Sequence, residues 1–147
     1  MLANLLGAFC AGVLLRRFGR KPLLLCGLAI QIGMLSLIGV SFLIKEHNSD
    51  LGQALAVIGL FCYQIFYGCS LGSIVWIYIP EVVSPSMVSV AIACNWTCTS
   101  LVVILFPIIE AHLLNDNPAV MFFFFAGWCM FAMALHSKLM VETKNKT

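Results

Sequence analysis

The chain has 147 residues, of which 62% are hydrophobic and only 10% are charged, and its formal net charge is +2. Soluble globular domains are nearer half apolar and a quarter charged, so the composition excludes a water-facing surface of ordinary size. The small net charge also argues against a nucleic-acid partner. The charges fall in a few clusters between long apolar segments, which predicts an integral membrane protein that crosses the bilayer several times.

Five apolar segments are the candidate membrane spans. In hydrocarbon each must be an α-helix, because an open sheet would leave backbone groups unpaired. In chain order the predicted spans are 1–15, 22–44, 53–79, 87–109 and 119–139, followed by a polar tail over 140–147. The predicted fold is thus all-α, one transmembrane bundle over the whole chain. We expect Gly59, Gly68 and Gly72 to interrupt the third span, and we expect Pro80-Glu81 and Ser84-Pro85-Ser86 to mark a turn after it.

The distribution of basic residues predicts the orientation of this bundle. With the connection after the first span in the cytoplasm, the cytoplasmic side holds Arg16, Arg17, Arg20, Lys21, Lys138, Lys144 and Lys146. The opposite side holds only Lys45, which is a clear positive-inside asymmetry. The C-terminus is therefore expected in the cytoplasm, and Met1 on the outer side with no signal peptide ahead of it. Because the first span is short, we expect earlier helices to be missing; a complete five-helix protein is the alternative.

No arrangement of residues supports catalysis, a metal or a cofactor. All seven cysteines lie within predicted spans, without the spacing of metal ligands and with no histidine alongside. The sequence has no Gly-rich phosphate loop, no nucleophile with a candidate base, and no carboxylate pair on one helix. We therefore predict that the protein is not an enzyme and binds no cofactor; a membrane enzyme is the hypothesis that no residue supports.

Amide and indole side chains within the predicted spans are the candidate binding groups. They are Asn4, Gln31, Gln64, Asn95, Trp76 and Trp96. An amide exchanges hydrogen bonds with hydroxyl groups and an indole ring covers an apolar C–H face, so together they suit a polyhydroxylated ligand such as a sugar. The alternative is that the amides join neighbouring helices, at about 1 kcal/mol each. Both interpretations stay open for Asn95, whereas helix joining is favoured for Gln31.

Four segments resemble, in the same order, landmarks of the sugar porter family in the major facilitator superfamily. The family's basic loop between helices eight and nine is similar to Arg17-Phe18-Gly19-Arg20-Lys21-Pro22-Leu23. Its tenth helix resembles Gly72-Ser73-Ile74-Val75-Trp76 with the later Glu81, and its eleventh carries a pair like Asn95-Trp96. Its Pro-Glu-Thr-Lys-Gly ending is similar to Glu142-Thr143-Lys144-Asn145-Lys146-Thr147. The chain thus resembles the C-terminal part of a major facilitator bundle, from about the eighth helix to the end.

The chain also departs from the family pattern. Arg16 stands where the family usually has an acidic residue, and Val141 replaces the proline of the terminal motif. The prolines that break the tenth helix in many members are replaced by Leu71, Ser73 and Val75. The segment 81–96 is short and lacks an expected arginine, and Gly68 stands where facilitative glucose carriers have a glutamate. The missing arginine and the reversed charge at Arg16 suggest that the family's cytoplasmic ion pairs are weakened here, and the alternative is that these basic residues reflect positive-inside topology alone.

The resemblance implies transport of a hexose-like sugar by alternating access, with the substrate between two halves that rock around it. The substrate-binding residues that it implies are Asn4, Gly68, Trp76, Asn95 and Trp96. In these roles the two asparagines bond hydroxyls, Trp76 stacks and gates, and Gly68 leaves room. The residues of the implied cytoplasmic gate, where cations meet carboxylates, are Arg17, Gly19, Arg20, Lys21, Glu81 and Glu142.

The resemblance also implies partners and a location. The partners are a monosaccharide, membrane lipid, and either the missing N-terminal helices or a companion carrier chain. The plasma membrane is expected in preference to internal membranes. The alternative function is that of a degenerate paralogue that does not transport and has a structural or regulatory role in the membrane.

Overall fold

The computed structural model describes residues 2–45, 47–113 and 118–141, apart from the side chains of residues 110, 112 and 113. Its helices are α1 (Leu2–Phe18), α2 (Arg20–Lys45), α3 (Ser49–Cys69), α4 (Leu71–Val82), α5 (Val88–Leu113) and α6 (Pro118–Leu139). The described residues form no β-strand. The prediction of an all-α bundle is therefore confirmed.

Four helical stretches of the described chain are long and apolar enough to cross a bilayer, judged by length and composition. They are Arg20–Lys45, Ser49–Val82, Val88–Ile109 and Pro118–Leu139, and the second of them contains both α3 and α4. The chain is thus a multi-pass membrane protein. The remaining helix, α1, has 17 residues, at the lower end of the roughly 17–25 residues that a crossing needs. Where the lipid boundary falls on each helix stays a prediction.

Two of the expected interruptions are wrong. The α3 helix continues through Gly59, where a Cβ atom would lie only 2.8 Å from Cγ1 of Ile38 on α2, so this glycine serves close packing. Pro80 does not begin a turn, because α4 runs on to Val82 and the turn follows over 83–87. Pro80 has no N–H and so removes one hydrogen bond from α4. Because the helix ends two residues later, few other backbone hydrogen bonds are affected.

The basic cluster after the first helix is not a loop. Phe18 ends α1 and Arg20 begins α2, so Gly19 is the one residue between them. Its φ of 91° is in the left-handed region, where residues with a Cβ are strained, and its N–H donates to the carbonyl of Leu15 at 3.2 Å. This one-residue turn brings the basic ends of both helices to the same end of the bundle.

The α2 helix lies at the centre of the bundle, packed along both α3 and α6, while α1 packs against α3. The buried core joins α1, α2, α4 and the residue after α6 through Ala11, Leu15, Leu24, Leu28, Ile74 and Met140. The α5 helix is peripheral. It contacts α4, and it meets α6 where the rings of Phe106 and Phe125 lie 4.7 Å apart between centroids.

The helix pair α3 and α4 is broken at Ser70, between Gly68 and Gly72. The Ser70 N–H donates to the carbonyls of Phe66 at 3.1 Å and Tyr67 at 3.2 Å, and its hydroxyl donates to Phe66 at 2.6 Å. The hydroxyl of Ser73 donates to the Gly68 carbonyl at 2.7 Å. Serine hydroxyls therefore pair carbonyls at a break that contains no proline, which matters because the membrane interior offers no water.

Small residues set how closely the helices approach. A Cβ atom at Gly7 of α1 would lie 2.2 Å from the backbone oxygen of Ile65 on α3, and one at Gly27 of α2 would lie 2.2 Å from Oγ of Ser70. In lipid there is little hydrophobic drive between helices, so this close van der Waals packing contributes much of their cohesion. Two glycine contacts thus fix α1 on α3 and the helix break on α2.

We expect Gly7→Ala to destabilise the bundle by about 1–3 kcal/mol, because the new methyl group collides with backbone and cannot be relieved by a rotamer change. Gly12→Ala is the matched control on the same helix, since nothing lies within 4 Å of a Cβ there. That variant should be neutral or slightly more stable. Thermal unfolding of the purified protein in detergent measures both; equal effects would contradict the close contact.

Candidate substrate site and cytoplasmic gate

Asn4 and Gly68 meet where α1 crosses α3. A Cβ atom at Gly68 would lie 2.5 Å from the backbone oxygen of Asn4 and 2.9 Å from its Oδ1. Because no other residue would leave this space, Gly68 seats the Asn4 amide directly on α3. Two of the predicted substrate-binding residues are thus neighbours.

The Asn4 side chain lines an open groove of about 560 Å³ together with Leu2, Leu5, Ala8 and Gln64. This volume is within the range of about 300–1,000 Å³ that is usual for small-molecule sites. Gln64 is one of the candidate amides from the sequence, although the family resemblance does not assign it to the site. It lies one helical turn before Gly68 and so shares its face of α3.

Trp76 on α4 and Trp96 on α5 lie against each other. Their ring centroids are 6.0 Å apart and their planes are inclined by 38°. The two residues are 44% and 57% exposed, so each ring braces the other and keeps an uncovered face. An uncovered indole face can lie against the apolar C–H face of a ligand.

No hydrogen bond of Asn95 or of the Gln31 Nε2 group joins two helices in the described residues, so the structure does not support the helix-joining interpretation of these amides. Asn95 is exposed beside Trp96, and its side chain makes none within the described part of the chain. Gln31 is 1% exposed, and its Nε2 has no partner among the described residues. A buried donor left unpaired costs about 1–3 kcal/mol, so the interpretation that we favoured for Gln31 gains no support.

The predicted substrate-binding residues thus lie as two pairs on either side of Ser70, with Asn95 next to the second pair. Asn4 with Gly68 precedes the helix break, and Trp76 with Trp96 follows it. Over residues 2–45, 47–113 and 118–141, no group of three or more His, Cys, Asp or Glu side chains could hold a metal ion.

The predicted gate contains an ion pair between Arg20, at the start of α2, and Glu81, near the end of α4. Nε of Arg20 donates to Oε2 of Glu81 at 3.2 Å, and Nη2 donates to Oε1 in a closer contact. The side chains are only 21% and 16% exposed. A bidentate, partly buried arginine–carboxylate pair is among the stronger ion pairs, so it ties α2 to α4 at this end of the bundle.

The structure gives fewer contacts for the remaining residues of the predicted gate. Gly19 forms the turn before Arg20, and the guanidinium of Arg17 lies 5.8 Å from the centroid of the Phe18 ring. Lys21 is half-buried next to Arg20. Glu142 lies outside the described residues, so the pairing of these cations with it stays a prediction.

Sequence reasoning missed Tyr78, which lies one turn before Glu81 on α4. Its hydroxyl donates to the carbonyl of Val141 at 3.3 Å and accepts the N–H of Val141 at 3.2 Å. These bonds tie α4 to the segment after α6. No pattern in the sequence could have indicated them, because 63 residues separate the partners.

A family model described as "Sugar (and other) transporter" matches residues 1–147. Hexose transporter 1 of Plasmodium knowlesi is 30% identical over 148 residues, which cover 98% of this chain and 29% of that protein. Sugar transporter ERD6-like 8 of Arabidopsis thaliana is 34% identical over 151 residues, covering 97% and 31%. Solute carrier family 2, facilitated glucose transporter member 3 of Mus musculus is 29% identical over 138 residues, covering 91% and 27%.

The chain therefore spans about three-tenths of the length of the curated relatives that it matches. The match extends over the whole chain, and the landmarks named above occur in the family's order. The resemblance is confirmed: this chain belongs to the sugar transporter family, as a sugar porter of the major facilitator superfamily.

Proposed function

We propose that the chain is the C-terminal share of a carrier that moves a hexose-like sugar across the membrane by alternating access. The observation that carries this proposal is the Trp76–Trp96 pair, two rings from different helices that lie 6.0 Å apart with uncovered faces. The family match supports it, as do relatives whose names describe hexose, glucose and sugar transporters.

Two kinds of contact hold the sugar in this proposal. Trp76 stacks on a C–H face of the ring, and Trp96 holds the indole in place. The amides of Asn4 and Asn95 exchange hydrogen bonds with hydroxyls, which supplies partners that their side chains lack among the described residues. Gly68 keeps the wall beside Asn4 free of a side chain. One bound sugar thus supplies hydrogen-bond partners for the amides and covers the faces of the indole rings.

The Arg20–Glu81 pair acts as the gate by stabilising the state in which the cytoplasmic side is closed. Because it joins α2 to α4, a movement that separates these helix ends must break it. Arg17 and Lys21, with Glu142, are proposed to extend the same network. A carrier alternates between states that differ by a few kcal/mol, so one partly buried pair is enough to change their populations.

The rest of the carrier is supplied by helices that precede these residues or by a companion chain, which contribute the facing half of the site. The C-terminus lies in the cytoplasm in this proposal, because the basic residues collect at that end. The plasma membrane is carried over from the family resemblance. The competing proposal, a paralogue that does not transport, is favoured by Arg16, which is exposed and has no charged partner in the described residues.

Trp76→Ala in the full-length protein should lower sugar uptake about fivefold to tenfold, because it removes a ring contact of about 1–1.5 kcal/mol. Membrane abundance should stay nearly unchanged. Trp128→Ala is the matched control, since Trp128 is 62% exposed on α6 and contacts Phe131. Uptake and surface labelling measure both; parallel losses of uptake and abundance would mean that the Trp76 ring is structural.

Arg20→Gln should raise the ratio of inward-open to outward-open carrier about fivefold to thirtyfold, the effect of one charged hydrogen-bonded pair. Distances between spin labels at the cytoplasmic ends report this ratio. The double exchange Arg20→Glu with Glu81→Arg should bring the ratio most of the way back to that of the unmodified protein. Arg16→Gln should leave the ratio unchanged. An unchanged ratio in Arg20→Gln would refute a gating role.

The 147 residues alone, reconstituted in liposomes, should not take up sugar, because half of the proposed site and the opposing bundle are absent. Co-reconstitution with the N-terminal helices of the same carrier should restore uptake. Counterflow of labelled glucose is the measurement. Uptake by the isolated chain would contradict the proposal that a second half is needed.

A further inference from the structure

The Tyr78 hydroxyl forms hydrogen bonds with both the carbonyl and the N–H of Val141. It donates to the carbonyl at 3.3 Å and accepts the N–H at 3.2 Å. Val141 follows the end of α6, so its N–H has no partner within a helix, and the tyrosine oxygen is the partner that the structure gives it. One side chain thus fixes both backbone groups of one residue.

The residue before this contact is fixed as well. Met140 is 6% exposed and belongs to the buried core with Leu24 and Ile74, and its N–H donates to the His136 carbonyl at 3.0 Å. Core packing therefore brings the chain after α6 against α4, and Tyr78 orients the next residue. The position of Val141 is set by two independent contacts.

The contact lies beside the gate. Tyr78 and Glu81 are three residues apart on α4, so they share a face at adjacent turns. At this end α4 is tied to α2 by the charged Arg20–Glu81 pair and to the chain after α6 by the uncharged Tyr78–Val141 bonds. A movement of this end of α4 has to accommodate both ties.

We propose that Tyr78 is a positioning residue for the gate: its hydroxyl clamps Val141 against α4 and so stabilises the state in which the Arg20–Glu81 pair is formed. This proposal rests on the proposed function. The clamp requires the N–H of residue 141, which a proline at that position would not have. Because the clamp is uncharged, its contribution does not fall with ionic strength, whereas that of an ion pair does.

The clamp itself is tested by hydrogen exchange, which does not depend on transport. In the full-length protein in nanodiscs, Tyr78→Phe should raise the exchange rate of the Val141 amide about fivefold or more, because its acceptor is lost. Tyr67→Phe is the matched control, since the Tyr67 hydroxyl makes no hydrogen bond within the described part of the chain. Unchanged exchange in Tyr78→Phe would overturn the clamp.

The positioning role is tested by the direction of transport. Tyr78→Phe should change the ratio of the KM for uptake to the KM for efflux about threefold to fivefold, with a smaller change in maximal rate. The change should be the same at low and high salt. Val141→Pro, which removes the N–H and keeps the carbonyl, should cause part of this change, and it should add nothing in the Tyr78→Phe background. Residue 141 lies beyond α6, where a proline is tolerated.

The outcomes separate this proposal from the proposed function. Faster exchange together with the shifted KM ratio supports the positioning role, and faster exchange with an unchanged ratio overturns it. Additive effects of Val141→Pro and Tyr78→Phe would also overturn it, since the two changes would then act on different interactions. If the unmodified protein moved no sugar, the proposed function would fail, and the clamp would be judged by amide exchange alone.

Discussion

The arrangement of this bundle depends on the contact between Ser70 and Gly27. A break in a membrane helix releases carbonyls into a medium without water, and the hydroxyl of Ser73 pairs the carbonyl of Gly68. The hydroxyl of Ser70 adds a second bond to the Phe66 carbonyl, which also accepts the Ser70 N–H. Ser70 is 1% exposed, and it fits against α2 only because Gly27 has no side chain. The break therefore has one defined position on the central helix. Gly68, two residues before it, and Trp76, six residues after it, take their places from that position.

The short α4 helix consequently connects the candidate site with the gate. It has 12 residues and is fixed at its first turn by the break. Trp76 in its middle supports α5 through Trp96, and its last turns carry Tyr78 and Glu81, which hold it to the neighbouring helices. A shift of α4 would move the aromatic pair and strain the gate together. Such mechanical continuity would let α4 couple the candidate site to the proposed gate if α4 has two defined arrangements.

The sequence predicted the helices well and their contacts poorly. Long apolar runs between charged clusters are sufficient to predict membrane helices, because length and hydropathy depend on the bilayer rather than on partners. A glycine is ambiguous, since it permits both a break and a close approach; Gly59 packs on Ile38, whereas the break occurs at a serine. The Arg20–Glu81 pair and the Tyr78–Val141 bonds join residues 61 and 63 positions apart, and spacing carries no signal for such pairs. The family landmarks did indicate the Arg20–Glu81 pair. They could not indicate the Tyr78–Val141 bonds, because Val141 replaces the proline of the family's terminal motif.

The amides at membrane depth give the strongest argument for a ligand rather than for helix joining. Glycine contacts, not amide hydrogen bonds, hold these helices together in the described residues, since Gly7 seats α1 on α3 and Gly27 seats the break on α2. An amide that joins nothing lowers stability unless something else pairs with it. Gln31 is enclosed and beyond the reach of a sugar, whereas Asn4 lines an open groove and Asn95 is exposed beside an indole ring. Exposure thus separates amides that are equal in chemistry. Gln31 is enclosed, whereas Asn4 and Asn95, which the family resemblance assigns to hydroxyl groups, are accessible, and so is Gln64 in the same groove as Asn4.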